Sequence, residues 1–285
     1  MTANEVTVAA IPQSQLSTQV FGHNARDDFK DMGEKDIILQ RLRPAQASLE
    51  IVKDGKAAIG DWVLDGTGDI VFPASKGGGD VIPIGWFKEW IEWNPDKSDK
   101  KKKILNRSSD PTTEIGKRLS RMAEARIKIQ TKKGEAYAVT EYYNFIVLIP
   151  AYTGNYSDFF LLSFSRTGHK IGKQWLNKLR NRKVDVTLGE EAGADAGKVV
   201  KVDSPIYACQ WRIDTKPEVS EDGDEYLVPT IGNGEQLPSE YWLGLREIAD
   251  AFKARRAAFI EAGSEANAVE AEVESVSTAK ASEHF

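Results

Sequence analysis

Seven basic side chains, Arg166, Lys170, Lys173, Lys178, Arg180, Arg182 and Lys183, fall between Ser163 and Lys183 with no Asp or Glu among them. A cationic run of this kind attracts phosphate. The turn Ser165-Arg166-Thr167-Gly168 opens it, and unpaired amides at a helix start favour an anion. A second basic stretch, 96–133, holds thirteen Lys/Arg against five Asp/Glu, a net of +8, and includes Lys100, Lys101, Lys102 and Lys103. The first stretch is +7, so the −5 of the whole chain leaves −20 for the remainder. Such segregation points to an anionic partner for part of an otherwise acidic surface. Between them in kind stands VIPIGWFKEWIEW, 81–93, where strand periodicity puts Trp86, Lys88 and Trp90 on one side. Rings beside a cation suit single-stranded nucleic acid, because each base has a face to stack and each nucleotide a phosphate. Tyr142 is a further stacking candidate. Tryptophans on an apolar strand more often fill a core, and a lysine run is more often a solvated loop.

Other chemistry finds little support. Three histidines, His23, His169 and His284, lack metal-ligand spacing and any Ser or Cys partner motif. Cys209 is the single cysteine, which excludes an internal disulfide and fits a reducing compartment. The glycine run at 77–79 lacks the Lys-Ser/Thr ending of a phosphate-binding loop. Asp61, Glu89 and Glu141 are scattered acids that a metal-dependent nuclease would need to bring together. The expectation is a non-enzyme with no cofactor.

The elements that must position these residues follow from periodicity. Hydrophobic content of 41% and charged content of 28% are those of a globular protein. No apolar run approaches the ~20 residues of a membrane span. Residues 1–34 are polar and read as a flexible arm, 35–262 as one binding domain, and 263–285 as an acidic disordered tail with Glu270, Glu272, Glu274 and terminal Phe285. Within the domain, strands are expected at Ser48–Val52, Gly60–Leu64 with a hairpin return to Phe72, and Val81–Trp93. A loop is expected over 96–111 and a short helix within 113–129. The apolar segment Glu135–Tyr152 reads as a central strand paired with Phe159–Ser165. Ile171, Trp175 and Leu179 recur every four residues, which places them on one face of the basic helix. Strands follow at 184–188, 199–213 and 225–231, with an acidic loop at 214–224. A last helix runs from Pro238 to about Ala262.

Many short strands, a helix after a central hairpin and a C-terminal helix describe a mainly β protein with an OB-like barrel. The strings DIILQRLRPAQASLEIVKDGKAAIGDWV and VIPIGWFKEWIEWN, then FFLLSFSRTGHKIGKQWLNKLR, SPIYACQWRI and EYLVPTIG, resemble a group of bacteriophage single-stranded DNA-binding proteins over residues 36–260. That resemblance implies an OB-like fold, a role in phage DNA replication, recombination or transcription, and a place in the cytoplasm of the infected host. It implies single-stranded DNA as partner, with phage replication or transcription proteins reached through the tail. The competing reading is a phage interaction or structural protein whose basic surface docks an acidic partner.

Overall fold

A computed structural model describes residues 39–95, 104–131, 134–150, 159–188, 190–219, 225–257 and 260. The expected arm 1–34, Lys100–Lys103 and the tail residues Glu270, Glu272, Glu274 and Phe285 lie outside the described residues. The fold is mainly β. Nine strands form one sheet in the order β13-β12-β4-β8-β9-β1-β2-β3, with β5 added alongside β4. They are β1 (Gln40–Pro44), β2 (Trp62–Leu64), β3 (Ile70–Phe72), β4 (Gly79–Trp93), β5 (Ile104–Ser108), β8 (Val139–Leu148), β9 (Phe160–Phe164), β12 (Cys209–Val219) and β13 (Glu225–Gln236). Two hairpins stand apart from it, β6 (Lys128–Thr131) with β7 (Gly134–Tyr137), and β10 (Lys183–Thr187) with β11 (Val199–Asp203).

The sheet curls into a half-barrel, and side chains tie its far ends together. Gln46, just after β1, donates to the Leu227 carbonyl of β13 at 2.9 Å and accepts its amide at 3.1 Å. Arg212 of β12 donates to the carbonyls of Lys76 and Gly77, just after β3, at 3.0 and 2.7 Å. Asp61 accepts the amides of Ala58 and Ala74 at 2.8 and 2.7 Å, which pins the turns on either side of the β2–β3 hairpin. These bonds satisfy backbone groups that the ladder leaves over.

Each face of the sheet buries a core against a helix. On one side α3 (His169–Arg180) lays Trp175 and Leu179 on Tyr143, Phe145, Leu162 and Phe164. Trp175 stands 4.2 Å from Phe145 and 6.2 Å from Trp211, ring centre to ring centre. On the other side α4 (Trp242–Ala254) packs Leu245, Ile248 and Phe252 on Ile82, Ile84, Phe87, Ile146 and Leu148. Burying each of these large side chains is worth ~1.5–3 kcal/mol. Gly85 is required under α4, since a Cβ there would lie 2.1 Å from the Phe252 ring.

The expected hairpins 60–72 and β8–β9 form as the patterns indicate. Three expectations are corrected. Ser48–Val52 is not a strand. Glu50–Lys53 forms a single helical turn, α1, whose amides bond locally to Leu49 and whose Ile51 and Val52 pack with Leu49 and Val63. The expected loop 96–111 contains β5, which pairs Ile104–Ser108 with the end of β4. The strand 199–213 is two strands, β11 and β12, and β12 continues through the expected acidic loop to Val219. Long cross-strand partners decide these segments, and local sequence does not carry that information. The helix in 113–129 is α2 (Glu114–Glu124), with the Thr113 hydroxyl accepting the Gly116 amide at 3.0 Å as its N-cap.

Candidate nucleic-acid interface

The register of β4 against β8 assigns the aromatic residues to faces. Trp86, Lys88, Trp90 and Glu92 lie opposite Phe145, Tyr143, Glu141 and Val139, so these eight share one side. Tyr142 lies opposite Glu89 on the reverse side. The expected stacking platform therefore does not assemble. Trp90 is 4% exposed under Leu119 of α2, with Ala138 and Val139 around it, and Tyr142 is 2% exposed. Trp86 is half-buried against the main core. Trp90 is buried because α2 covers its side of the sheet, and a strand pattern alone does not say which face is covered.

Lys88 is also committed. Its ammonium donates to Glu141 Oε1 at 2.7 Å and lies 4.8 Å from the centre of the Tyr143 ring. His169, the first residue of α3, bonds through Nε2 to the other oxygen of Glu141, and its ring meets Tyr143 edge-on at 5.0 Å. Burial alone would raise the Glu141 pKa. The hydrogen bonds from His169 and Lys88, together with their positive charge, overturn that and hold it at about 2. Burial would lower the Lys88 pKa, but the bond and charge of Glu141 raise it instead. Burial pushes the Tyr143 phenol up. This node joins the root of α3 to the sheet. Glu89 is buried on the opposite side, and Asp61 is used on backbone amides, so the three acids considered for a nuclease do not converge.

The seven basic residues of 163–183 divide into two sets. Lys178 donates to the carbonyls of Ile231 and Gly232 at 3.3 and 3.2 Å, and Arg182 to that of Gly234 at 2.8 Å. Both therefore cover β13, the last strand of the sheet, whose edge would otherwise be open to pairing. Lys183 is ion-paired with Asp203 across the β10–β11 hairpin. All three thus have contacts within the fold, and Lys178 and Lys183 are exposed. Lys170, Lys173 and Arg180 are exposed, with no ion pair among the described residues. Lys170 is near enough to Glu218 to help lower its pKa, after the larger effect of Lys216. Arg166 is exposed in the turn before α3 at φ 47°, a left-handed conformation uncommon for a non-glycine residue. No side chain caps that turn at Ser165.

The structure adds a corner that pattern-reading passed over. α2 and the turn that follows it line an open groove of about 480 Å³, formed by Glu114, Lys117, Arg118, Arg121, Met122, Ala125 and Ile127. Ile127 is exposed in this groove, and Ile115 on α2 and Tyr137 at the end of β7 are exposed as well. Arg118 makes a two-pronged bond to Glu92 at 3.0 and 2.7 Å, and Glu92 also accepts from Asn106 of β5 at 2.7 Å. The Arg118 bond pulls the Glu92 carboxyl below its ordinary range. This network fixes α2 to β5, whose first residue follows directly on Lys103. The signal available in sequence was the outward Lys117, Arg118 and Arg121 on the α2 periodicity. Tyr137 was hidden because it reads as part of the apolar run 135–152, which breaks at Ala138 into β7 and β8.

α2 and α3 stand next to each other. Trp90, under α2, and Glu141, bonded to the start of α3, are cross-strand partners. Among the described residues no group of three or more His, Cys, Asp and Glu could hold a metal ion, and no helix is long and apolar enough to cross a membrane. Searches of curated proteins and of solved structures found no match. The family model described as Pam3 phage gp34-like protein matches residues 20–256. A match over most of the length of the chain places it plainly: this is a phage protein belonging to the Pam3 phage gp34-like family.

Proposed function

We propose that this phage protein binds single-stranded DNA without catalysis, as an OB-like module acting in replication, recombination or transcription of the phage genome. The observation that carries the reading is the placement of the two basic stretches. Each stretch includes one helix, α2 or α3, and these helices pack on the same side of the sheet over the cross-strand partners Trp90 and Glu141, in a chain whose remainder is strongly acidic. A continuous cationic surface gains affinity by displacing phosphate counterions. Lys170, Lys173 and Arg180 on α3 and Lys117 and Arg121 on α2 supply exposed charge for it. The terminal acidic tail, with Glu270, Glu272, Glu274 and Phe285, recruits a replication or transcription protein in this reading.

Fluorescence titration with labelled oligo-dT at two salt concentrations tests it. Binding that weakens steeply with salt and exceeds binding to duplex of the same length is expected. Absence of binding at low salt, or affinity indifferent to salt, removes the proposal. The apolar floor of the α2 groove, Met122, Ala125 and Ile127, favours a second reading, a docking surface for an acidic protein. That reading expects no oligonucleotide affinity and a defined complex in pull-downs from infected cells.

A further inference from the structure

We propose that the β10–β11 hairpin is a self-association element, in which the open edge of β11 pairs antiparallel with β11 of a second copy of this chain. This contact does not depend on nucleic-acid binding. β10 is closed on both sides. One side pairs with β11. On the other, the Asp185 amide donates to Gln236 Oε1 at 3.0 Å, and Gln236 Nε2 donates to the Asp185 carbonyl at 2.8 Å. β11 has no second partner strand among the described residues. At the two ends of the hairpin the Ser204 amide bonds to the Arg182 carbonyl and the Leu188 amide to the Lys198 carbonyl, both at 2.9 Å. Bonded and unbonded residues alternate along an antiparallel ladder. Val200 and Val202 therefore turn their amides and carbonyls toward β10, and Val199, Lys201 and Asp203 turn theirs outward. The strand is open at its side chains too, with Val199 63% and Val202 37% exposed. An exposed edge rich in β-branched residues is a template for another strand.

The side chains select a second copy as the partner and fix one register. A twofold axis between antiparallel strands keeps every residue on its own face, so the pairing must be centred on a residue. Centred on Lys201, it sets two lysines against each other, which is unfavourable. Centred on Val200, it sets Lys201 against Val199 and Lys198 against Val202. Centred on Val202, it sets Lys201 against Asp203 of the second copy, twice, and Val202 against its own counterpart. Within the hairpin Asp203 lies opposite Lys183 and is ion-paired with it, and Lys201 lies opposite Asp185. Each row of charge across the paired hairpins then reads Lys183, Asp203, Lys201, Asp185, alternating in sign, with the last two from the second copy. On the other face Val202 lies opposite Val184, which is buried in the main core. The exposed valine gains an apolar neighbour on its open side. Opposite charges and β-branched pairs across strands both stabilise a sheet. An edge of five residues buries less than the ~1,000 Å² of a stable interface, so the pairing is weak and depends on concentration.

Sedimentation velocity of the full chain without nucleic acid, from the micromolar to the millimolar range, tests this. The average mass is expected to rise from one chain toward two. Lys201→Asp and Asp203→Lys are each expected to weaken association about tenfold, because each sets like charges opposite one another twice. An equimolar mixture of the two variants is expected to regain wild-type association, since every like-charge pair then becomes an opposite-charge pair. Hydrogen exchange is expected to slow at the amides of Lys201 and Asp203 as concentration rises, with those of Val200 and Val202 unchanged. Lys201 and Asp203 are exposed, and an exposed ion pair contributes little to stability, so the variants should melt near wild type. A chain that stays monomeric across the range, association that both single variants keep, or a mixture no better than its components would overturn the proposal. Oligo-dT binding is read separately, so either proposal can fail without the other.

Discussion

Glu141 is a carboxylate bonded by Lys88 and by the His169 ring, and that sets its contribution to stability. Its folded pKa of about 2 lies below the ordinary 4.5, so the stabilisation is present above pH 4.5 and is lost as pH falls toward 2. The group is mostly buried, and the contribution is on the order of 1–3 kcal/mol after allowance for solvent screening. Glu141→Gln is expected to lose that amount at pH 7 and to show a flatter decline between pH 4.5 and 2. Urea unfolding of both proteins at pH 7 and pH 3 measures it, and two parallel pH curves would show that the carboxylate does not carry the effect. At this scale the sequence supplied the side of β4 on which Lys88 lies, through simple alternation. It gave no hint of the partner, because Glu141 reaches Lys88 from a strand some fifty residues later in the chain.

Helix α3 combines a packing face with a binding face, and substitutions should separate them. Gly172 lies where a Cβ would come 2.7 Å from Phe164 Cβ and 2.9 Å from Tyr143 Cβ, so the helix sits directly on the sheet. Gly172→Ala is expected to cost about 1–3 kcal/mol through overpacking, seen as a lower denaturation midpoint. Arg182→Ala removes a charged donor from the Gly234 carbonyl and is expected to cost about 1.5–3 kcal/mol with oligo-dT affinity kept. Lys170→Ala with Lys173→Ala should do the reverse, sparing the melting temperature and reducing the salt slope by about two. Equal loss of affinity in Arg182→Ala would show that the β13 contact is not its main role. The apolar stripe of this helix was legible at Ile171, Trp175 and Leu179. The division of its basic residues was not, since Lys178 and Lys170 look alike until β13 is placed beside one of them. Ser48–Val52 shows the opposite error, in which a short alternating string became a helical turn for lack of any strand to pair with.

For the molecule as a whole, closure of the half-barrel depends on a few polar links between its ends. Gln46→Ala removes both bonds to Leu227 and is expected to lower stability by about 1–2 kcal/mol. The midpoint in urea should fall with the slope unchanged, and the Leu227 amide should exchange faster with solvent. An unaltered midpoint would mean that β12–β13 is held by its core contacts alone. Charge is organised at the same scale. Acidic residues elsewhere give the chain its net −5, while α2 and α3, on the same side of the sheet, each carry exposed cations.

By itself the sequence determined the mainly β class, the long strand β4, the β8–β9 hairpin, the apolar stripe of α3 and the two basic stretches. Each is encoded by periodicity or composition over a handful of neighbouring residues. Only the tertiary structure decided which side of a strand is covered, and that buried Trp90 and Tyr142 and left Tyr137 outside. It also decided which cations are consumed by backbone carbonyls and carboxylates and which stay exposed. Burial and pairing depend on residues distant in the chain, so the chemistry visible in the sequence had to be reassigned once those residues met.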